Sequence, residues 1–521
     1  MRISDFVLPR GLPPLTPEQR ENIRRLAGIS REFGREAGIP LPEPPPVSGQ
    51  AIVLESGHQP NFLPYPGIWK KALLLGKIRE AFAGKGCEVV AFYGFLDYDN
   101  AASPYLSGNT IPSLQKEGTA RIGFRVSGGD RFRCFHTLEK PGRDRWRQEM
   151  ERIAGSYRKN AKDLKLDPAA LQPGLDDLIG VLERSYQDAR TLADLNAFTF
   201  ARLCARGTGQ KIHFFRYSDI MREGLFLDEW KRILAAREPY IREFNAAIAE
   251  RGLPLAQVTG DHVPFWYQCE CNGKVPLAAQ GGTGAVTGRC PACSREHRLE
   301  LGEDFSGLRT YYPRISPRAV PRNLMMAGGI GTHIFIAGSG GGLRYGLVAD
   351  VVARALGFRA PRTMSWSSRD FYIGPVQASV LRELARTFGV TLPDLVTGRH
   401  IPIVRNSLEG IERTISELES GGVDPAQVRK HSCRLYNAGV LLEIARKVFG
   451  LTPSILDLLV SADPAAVLRG WEERLETLGF VESGGQLLSS GDVCHGTGFM
   501  ESIKYGDIPK IYHALETIGV T

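Results

Sequence analysis

Several things are scarce in this chain of 521 residues, and each absence excludes something. No apolar run reaches membrane-spanning length: the best candidate, from Ile330 to Leu343, is broken by Thr332, His333, Ser339 and five glycines. The opening Met1-Arg2-Ile3-Ser4-Asp5 lacks the apolar core of an export signal, so the expected location is the cytoplasm, with no membrane partner. The net charge is only +8, and Lys and Arg never gather into a block. So modest and dispersed a charge favours acidic substrates or a weak attraction to nucleic acid. Nine cysteines are too few for a secreted disulfide framework. The scattered Cys87, Cys134 and Cys204 suit small buried apolar positions. No fixed-period repeat is visible.

What is present is glycine (58 residues), together with strand–turn–helix patterning. The length predicts more than one domain. Residues 1–47 carry a helix opened by Thr16-Pro17-Glu18-Gln19, then a stiff proline-rich linker. Residues 48–264 read as the first part of a parallel α/β core. The run Ala51-Ile52-Val53-Leu54 is a strand, Gly67 to Lys85 a helix, and Glu88 to Tyr93 a strand buried on both faces. Helical stretches follow at Asp144–Tyr157, Leu175–Cys204 and Phe226–Arg251, with a strand at Ile212–Phe215. A cysteine-bearing ribbon at 265–301 interrupts the core, which returns at 302–374. Residues 375–521 read as mainly helical.

Two glycine turns carry the strongest functional signal. The first is Ser56-Gly57-His58-Gln59-Pro60-Asn61, and the second runs from Ala337 through Gly338, Ser339, Gly340, Gly341 and Gly342 to Tyr345. Each follows a strand and opens a helix, where a parallel sheet offers backbone N–H groups to an anion. Their separation predicts one site built from segments that meet in space. His58 and Asn61 are held by nearby Pro60 and Pro64, and a His there can donate to phosphate oxygens. Arg318, Arg322 and Arg369 are candidates for bidentate phosphate or carboxylate binding. Asp97 and Asp99 stand just past the second strand, placed to hold a metal-bound nucleotide or to orient an amine, or else to shape a turn.

Cys269-Glu270-Cys271 and Cys290-Pro291-Ala292-Cys293 form two close pairs on expected hairpin knuckles. Four thiolates so placed suit a structural zinc with no open position, with His297 as a substitute ligand and an iron–sulfur cluster as the alternative. Late in the chain Cys433 and Cys494 each lie near a His, but adjacent residues do not face one another as a nucleophile–base pair.

The stretch Ile52 to Lys71 with Asp97–Asn100, and the stretch Ile315 to Asp370 with Ser316-Pro317-Arg318, Arg322, Gly338–Gly342, Tyr345, Pro361 and Arg369, resemble the bacillithiol-biosynthesis cysteine ligase (BshC-like) family. The resemblance implies a Rossmann-like, nucleotidyltransferase-related core with a helical arm. It also implies ATP-assisted amide formation between cysteine or a similar amino acid and an amine acceptor such as an aminosugar conjugate, with ATP and Mg²⁺ as cosubstrate. His58 stands where that family has Gln, and His58-Gln59-Pro60-Asn61-Phe62-Leu63-Pro64-Tyr65 is similar to the turn of WbqC-like proteins. A His turn with a zinc knuckle also resembles class I aminoacyl-tRNA synthetases, although no lysine-rich second signature is visible.

The expected fold is thus α/β, with a Rossmann-like parallel sheet, an inserted zinc ribbon and a helical C-terminal region. The leading expectation is a BshC-like ligase whose catalytic residues are His58, Asn61, Asp97, Asp99 and Arg322. Its nucleotide would be held by Ser56, Gly57, Gln59, Gly338, Gly340, Gly341, Gly342, Tyr345 and Arg369. The alternatives are nucleotidyl transfer at the His turn, and an RNA- or protein-binding module in which the ribbon does the recognition, with tRNA as one partner. The helical region is the expected surface for a homodimer.

Overall fold

Thr16 opens the first helix as its sequence predicts. Its hydroxyl accepts from the Gln19 amide at 3.1 Å, and its own amide donates to Gln19 Oε1 at 3.0 Å. Further along the same side chain, Gln19 Nε2 donates to the Gly328 carbonyl, which docks the helix against the body of the protein. The computed structural model describes residues 2–6, 13–39, 47–114, 118–163, 165, 167–208, 211–281, 284–338, 341–367, 370–373, 375–391, 394, 399–422, 425–450, 460, 464–483, 485–490 and 493–496.

The strands are β1 (Ile52–His58), β2 (Val89–Phe95), β3 (Gly108–Pro112), β4 (Thr119–Gly123), β5 (His213–Arg216), β6 (His262–Gln268), β7 (Lys274–Ala279) and β8 (Ala285–Arg289). They continue with β9 (Glu296–Glu300), β10 (Ile315–Pro317), β11 (Ile334–Ile336), β12 (Arg362–Ser367), β13 (Asp370–Ile373), β14 (Val481–Ser483), β15 (Gln486–Ser490) and β16 (Val493–Gly496). The helices used below are α1 (Pro17–Glu36), α2 (Pro66–Ala83), α3 (Arg143–Asp163), α4 (Pro168–Asp188), α5 (Leu192–Thr208), α6 (Tyr217–Arg222), α7 (Leu227–Ala235), α8 (Arg237–Glu250), α9 (Leu308–Tyr311), α10 (Ala319–Gly329) and α11 (Gly341–Ala355).

Seven strands form the main sheet in the order β14-β15-β12-β11-β1-β2-β5. Every pairing is parallel except β14 with β15 at the edge. From β1 the chain builds outward through α2 to β2 and β5, then returns to place β11 on the other flank of β1. The sheet therefore switches direction between β1 and β11, and beyond the C-terminal ends of the strands at such a switch point is where open parallel sheets bind ligands. One face of the sheet is covered by α2 and α5, whose Ile68, Leu75, Phe198 and Phe200 join Leu54, Ala91 and Tyr93 in a buried cluster. On the other face Val53, Val90 and Phe92 meet α1, α6, α10 and a second sheet.

That second sheet is antiparallel, in the order β10-β6-β7-β8-β9, and it bears the cysteine knuckles. It is larger than the ribbon expected at 265–301. It begins at His262, and β10, from the stretch assigned to the returning core, pairs with β6. A three-residue strand carries too little periodicity to be seen in sequence.

Among its described residues the C-terminal region is mainly helical, as expected, and it also contributes short strands that the sequence does not reveal. Helices Pro375–Phe388, His400–Ser420, Pro425–Gly450 and Pro464–Thr477 are present, but β14 and β15 complete the main sheet and β16 pairs with β13. Two long helical stretches are each divided. Asp194 accepts from the Arg190 and Thr191 amides and so starts α5 afresh after α4. A break at Ala236 separates α7 from α8.

Candidate functional site

The two glycine turns, 280 residues apart, meet at the switch point. Ser56 lies opposite Ile336 in the β1–β11 ladder, and its hydroxyl donates to the Ile336 carbonyl at 3.0 Å. That hydroxyl ties two strands together. Gly57 must be glycine, because a Cβ there would stand 2.7 Å from the Gly94 carbonyl oxygen of β2. Lys71 reaches in from α2, donating to the Gly57 carbonyl at 2.5 Å. A Cβ on Gly338 would lie 3.9 Å from Lys71 Cδ, so both turns border the same ammonium. Gly341 and Gly342 begin α11, beside the Tyr345 ring and Ala337 respectively. Gly340 and Arg369 lie outside the described residues.

His58 ends β1. Its Nδ1 is 3.0 Å from the Gln59 carbonyl oxygen, which only accepts, so Nδ1 carries the proton and Nε2 a lone pair. Burial, with Lys71 and Arg322 adding to it, pushes the imidazole down to about 3, hence neutral at physiological pH. In this state His58 offers an acceptor rather than the phosphate donor expected from sequence. Gln59 Nε2 donates to Asp99 Oδ2 at 2.7 Å, and Lys274 Nζ to Oδ1 at 2.9 Å. Burial alone would raise the Asp99 carboxyl, but Lys274, Gln59 and Arg322 hold it below its ordinary value.

Asn61 is buried in the turn, with no partner for its Oδ1 among the described residues. The turn itself is clamped by Asn196, which donates to the Pro60 carbonyl at 2.7 Å.

The arginines come from the start of α10. Arg322 Nη1 donates to the Tyr98 hydroxyl at 2.9 Å, and its guanidinium lies 5.9 Å from the Tyr217 ring centroid. Arg318 lies 3.8 Å over the Trp266 ring, with Nε buried and unpartnered among the described residues. Tyr345 is close enough to act on Arg318 electrostatically. Beneath Arg322, Glu55 accepts from Tyr217 at 2.9 Å and from Thr332 at 3.2 Å, and burial pushes its carboxyl up to about 7. Burial also depresses the Lys71 ammonium, with Arg322 beside it, to about 7.

Asp97 stands apart from this group. It accepts from the Ser218 hydroxyl and from the Ser218 amide at 3.0 Å, capping α6. Burial raises its carboxyl. The structure thus brings together His58, Gln59, Asp99 and Arg322, and adds Lys71, Lys274, Glu55 and Tyr217, which sequence reasoning passed over. One signal was available: Lys70 and Lys71 are buried charges within an otherwise apolar stretch of α2.

The net result is an excess of positive charge. Among the described residues Lys71, Arg318 and Arg322 have no carboxylate within ion-pair distance; Asp99, which acts on Arg322 from further off, is paired with Lys274, and near neutral pH Glu55 and Lys71 are each close to half-ionised. Partly buried cations without counter-charges are costly unless a ligand supplies them. An anionic ligand would supply the missing counter-charge.

Some distance along β6 and β7, Cys269, Cys271, Cys290 and Cys293 are positioned to hold a metal ion, all four sulfurs lying within 4.8 Å of one another. The pairs Cys269–Cys293 and Cys271–Cys290 are each 3.6 Å apart. Sulfurs about 2.3 Å from a tetrahedral centre would be ~3.8 Å apart, whereas a disulfide needs about 2.05 Å. Gly273 confirms the fit, since a Cβ there would collide with Cys290 Sγ and approach Cys271 Sγ to 3.3 Å. His297 belongs to a second cluster with Cys269 and Glu270, at the edge of the four sulfurs. Cys433 is exposed on the Pro425–Gly450 helix. Cys494 lies on β16. No protein-family model matches the chain, and no curated protein matches it.

Proposed function

We propose that the switch point between β1 and β11 binds ATP with its Mg²⁺ and forms an amide between an amino acid and an amine acceptor, as in the BshC-like ligases. The supporting observation is the cluster of basic side chains at the switch point that have no carboxylate ion pair among the described residues. Lys71, Arg322 and Arg318 are the groups to hold phosphoryl oxygens, aided by main-chain N–H groups of the glycine turns. A substrate carboxylate oxygen attacks a phosphorus of ATP, and pyrophosphate or ADP departs. The amine then attacks the activated acyl carbon and displaces AMP or phosphate. His58 suits the second step, because its unprotonated Nε2 can take the proton the amine must lose. Arg322 and Lys71 offset the charge on the leaving phosphoryl group.

We further propose that the metal at the four cysteines is zinc, a closed structural site that cross-links the two knuckles. The experiment is ATP turnover by zinc-loaded protein with Mg²⁺, single amino acids and an aminosugar acceptor. Amino-acid-dependent turnover with a new amide is the expected result, and the nucleotide product identifies the activation step. Pyrophosphate release without an amide would assign nucleotidyl transfer instead. No turnover and no ATP binding would overturn the reading.

A further inference from the structure

We propose that the cysteine knuckle is a positioning device for the candidate site: the metal it holds fixes the segment Asn272–Gly273–Lys274, and with it the Lys274 ammonium on Asp99. The two features lie in different sheets, yet an unbroken set of contacts joins them.

The knuckle is a tight turn. Asn272 N donates to the Cys269 carbonyl at 2.8 Å and Cys269 N to the Gly273 carbonyl at 2.9 Å. Asn272 takes a left-handed backbone, φ 68°, with its side chain held by Gln268 at 3.0 Å. On one side Gly273 faces the sulfurs so closely that no Cβ fits. On the other side the turn is fastened to the core. Cys134 N donates to the Asn272 carbonyl at 2.8 Å, and Arg133 bridges to Gly273. The Arg133–His136 segment in turn holds the candidate site's loop, Phe135 N donating to the Asp99 carbonyl and His136 N to the Asp97 carbonyl, both at 2.8 Å.

Lys274 is the next residue. It is 8% exposed, pairs with Asp99 at 2.9 Å, and sits 5.1 Å from the ring centroids of both Tyr98 and Trp266. Trp266 also supports Arg318. Asp99 passes the constraint to Gln59, next to His58. Sulfur cluster, Gly273, Lys274, Asp99 and Gln59 therefore form one connected path to the switch point. Without the metal, four sulfurs gathered within a few ångströms have nothing between them to hold the hairpins together, and the Lys274–Asp99 register loosens.

The test compares hydrogen exchange in zinc-loaded and chelated protein. We expect exchange at the Cys134, Phe135 and His136 amides to accelerate about tenfold or more on zinc removal, while α8 and α11 keep their protection. Unchanged protection at those three amides, with zinc shown to be gone, would overturn the proposal. Should chelation unfold the protein globally, Cys293→Ser at the exposed corner of the cluster makes the same comparison.

A second arm rests on the ATP-binding reading above. Lys274→Met should retain zinc and weaken ATP binding about tenfold, and full affinity would remove Lys274 from the path. If zinc-loaded wild-type protein binds no ATP, that reading fails, and the exchange experiment still decides the coupling.

Discussion

Lys71 and Glu55 are buried titratable groups that both feel Arg322, with opposite pH signatures. Lys71 is depressed by burial and by Arg322 to about 7, whereas an unfolded lysine keeps its proton to near 10.5. Between those values the unfolded chain binds more protons, so the cost of burying Lys71 is fully present below pH 7 and fades as pH rises. A bound triphosphate favours the charged ammonium. We therefore expect ATP binding to be tightest below pH 7, to weaken above it, and to take up a proton. Calorimetry in two buffers of different ionisation enthalpy checks this, and in Lys71→Met the affinity should fall about tenfold at pH 6.5 with the proton uptake lost. A pH-independent wild-type affinity would contradict it. Glu55 is raised by burial to about 7 from an ordinary 4.5. Between those values the folded protein holds a proton that the unfolded chain has released, so this contribution to stability declines as pH rises from 4.5 to 7. Glu55→Gln keeps the shape and removes the ionisation, and should gain up to about 3 kcal/mol relative to wild type between pH 5 and pH 8. Urea midpoints at the two pH values measure it.

Elements are joined here by a few buried groups whose removal has distinct outcomes. Arg216 at the end of β5 bonds Asp219 of α6 at 2.7 Å, Asp194 of α5 at 2.6 Å and Glu36 of α1 at 2.5 Å. Arg216→Met would remove the shared cation of three carboxylates, leaving Asp219 with Arg222, Glu36 with Arg190 and Asp194 with two backbone amides, and we expect a loss of about 3 kcal/mol in urea denaturation. Gly273→Ala, by contrast, should leave the main sheet intact and abolish zinc binding, read as metal per chain in the purified protein, because its Cβ would collide with Cys290 Sγ. Much of this arrangement was legible in the sequence. Local signals found α1 from its Thr16 cap, the β1–α2–β2 unit from its apolar runs, and the four cysteines from their spacing. The convergence of the glycine turns was legible because both follow strands of one parallel sheet. What escaped notice depended on distant partners. Lys274 is an ordinary lysine until β7 carries it to Asp99, and β15 has only Leu487 in the main core cluster, too little for a periodic pattern.

At the scale of the whole molecule, α2 and the β12–β13 stretch hold the C-terminal region to the core. Lys70 of α2 forms a buried ion pair with Asp370 of β13, which also accepts from Trp471 Nε1 at 2.7 Å, while β15 lies along β12 and completes the main sheet. A chain ending at residue 478 would leave the β12 edge unpaired. We expect it to form larger species in size-exclusion chromatography than the full chain does, and a truncated protein no more associated than the full chain would show that the edge is protected some other way. The central ladder has a consequence for how the protein is made. Strand β1 leaves the ribosome early and can pair at once with β2, but its other neighbour, β11, is synthesised 280 residues later. Through that interval the apolar residues Val53 and Leu54 wait on an open edge, a setting for slow folding and a demand for chaperones. The switch point cannot exist on any nascent fragment that stops short of β11, so the proposed nucleotide binding would mark the moment when the two halves of the sheet have joined.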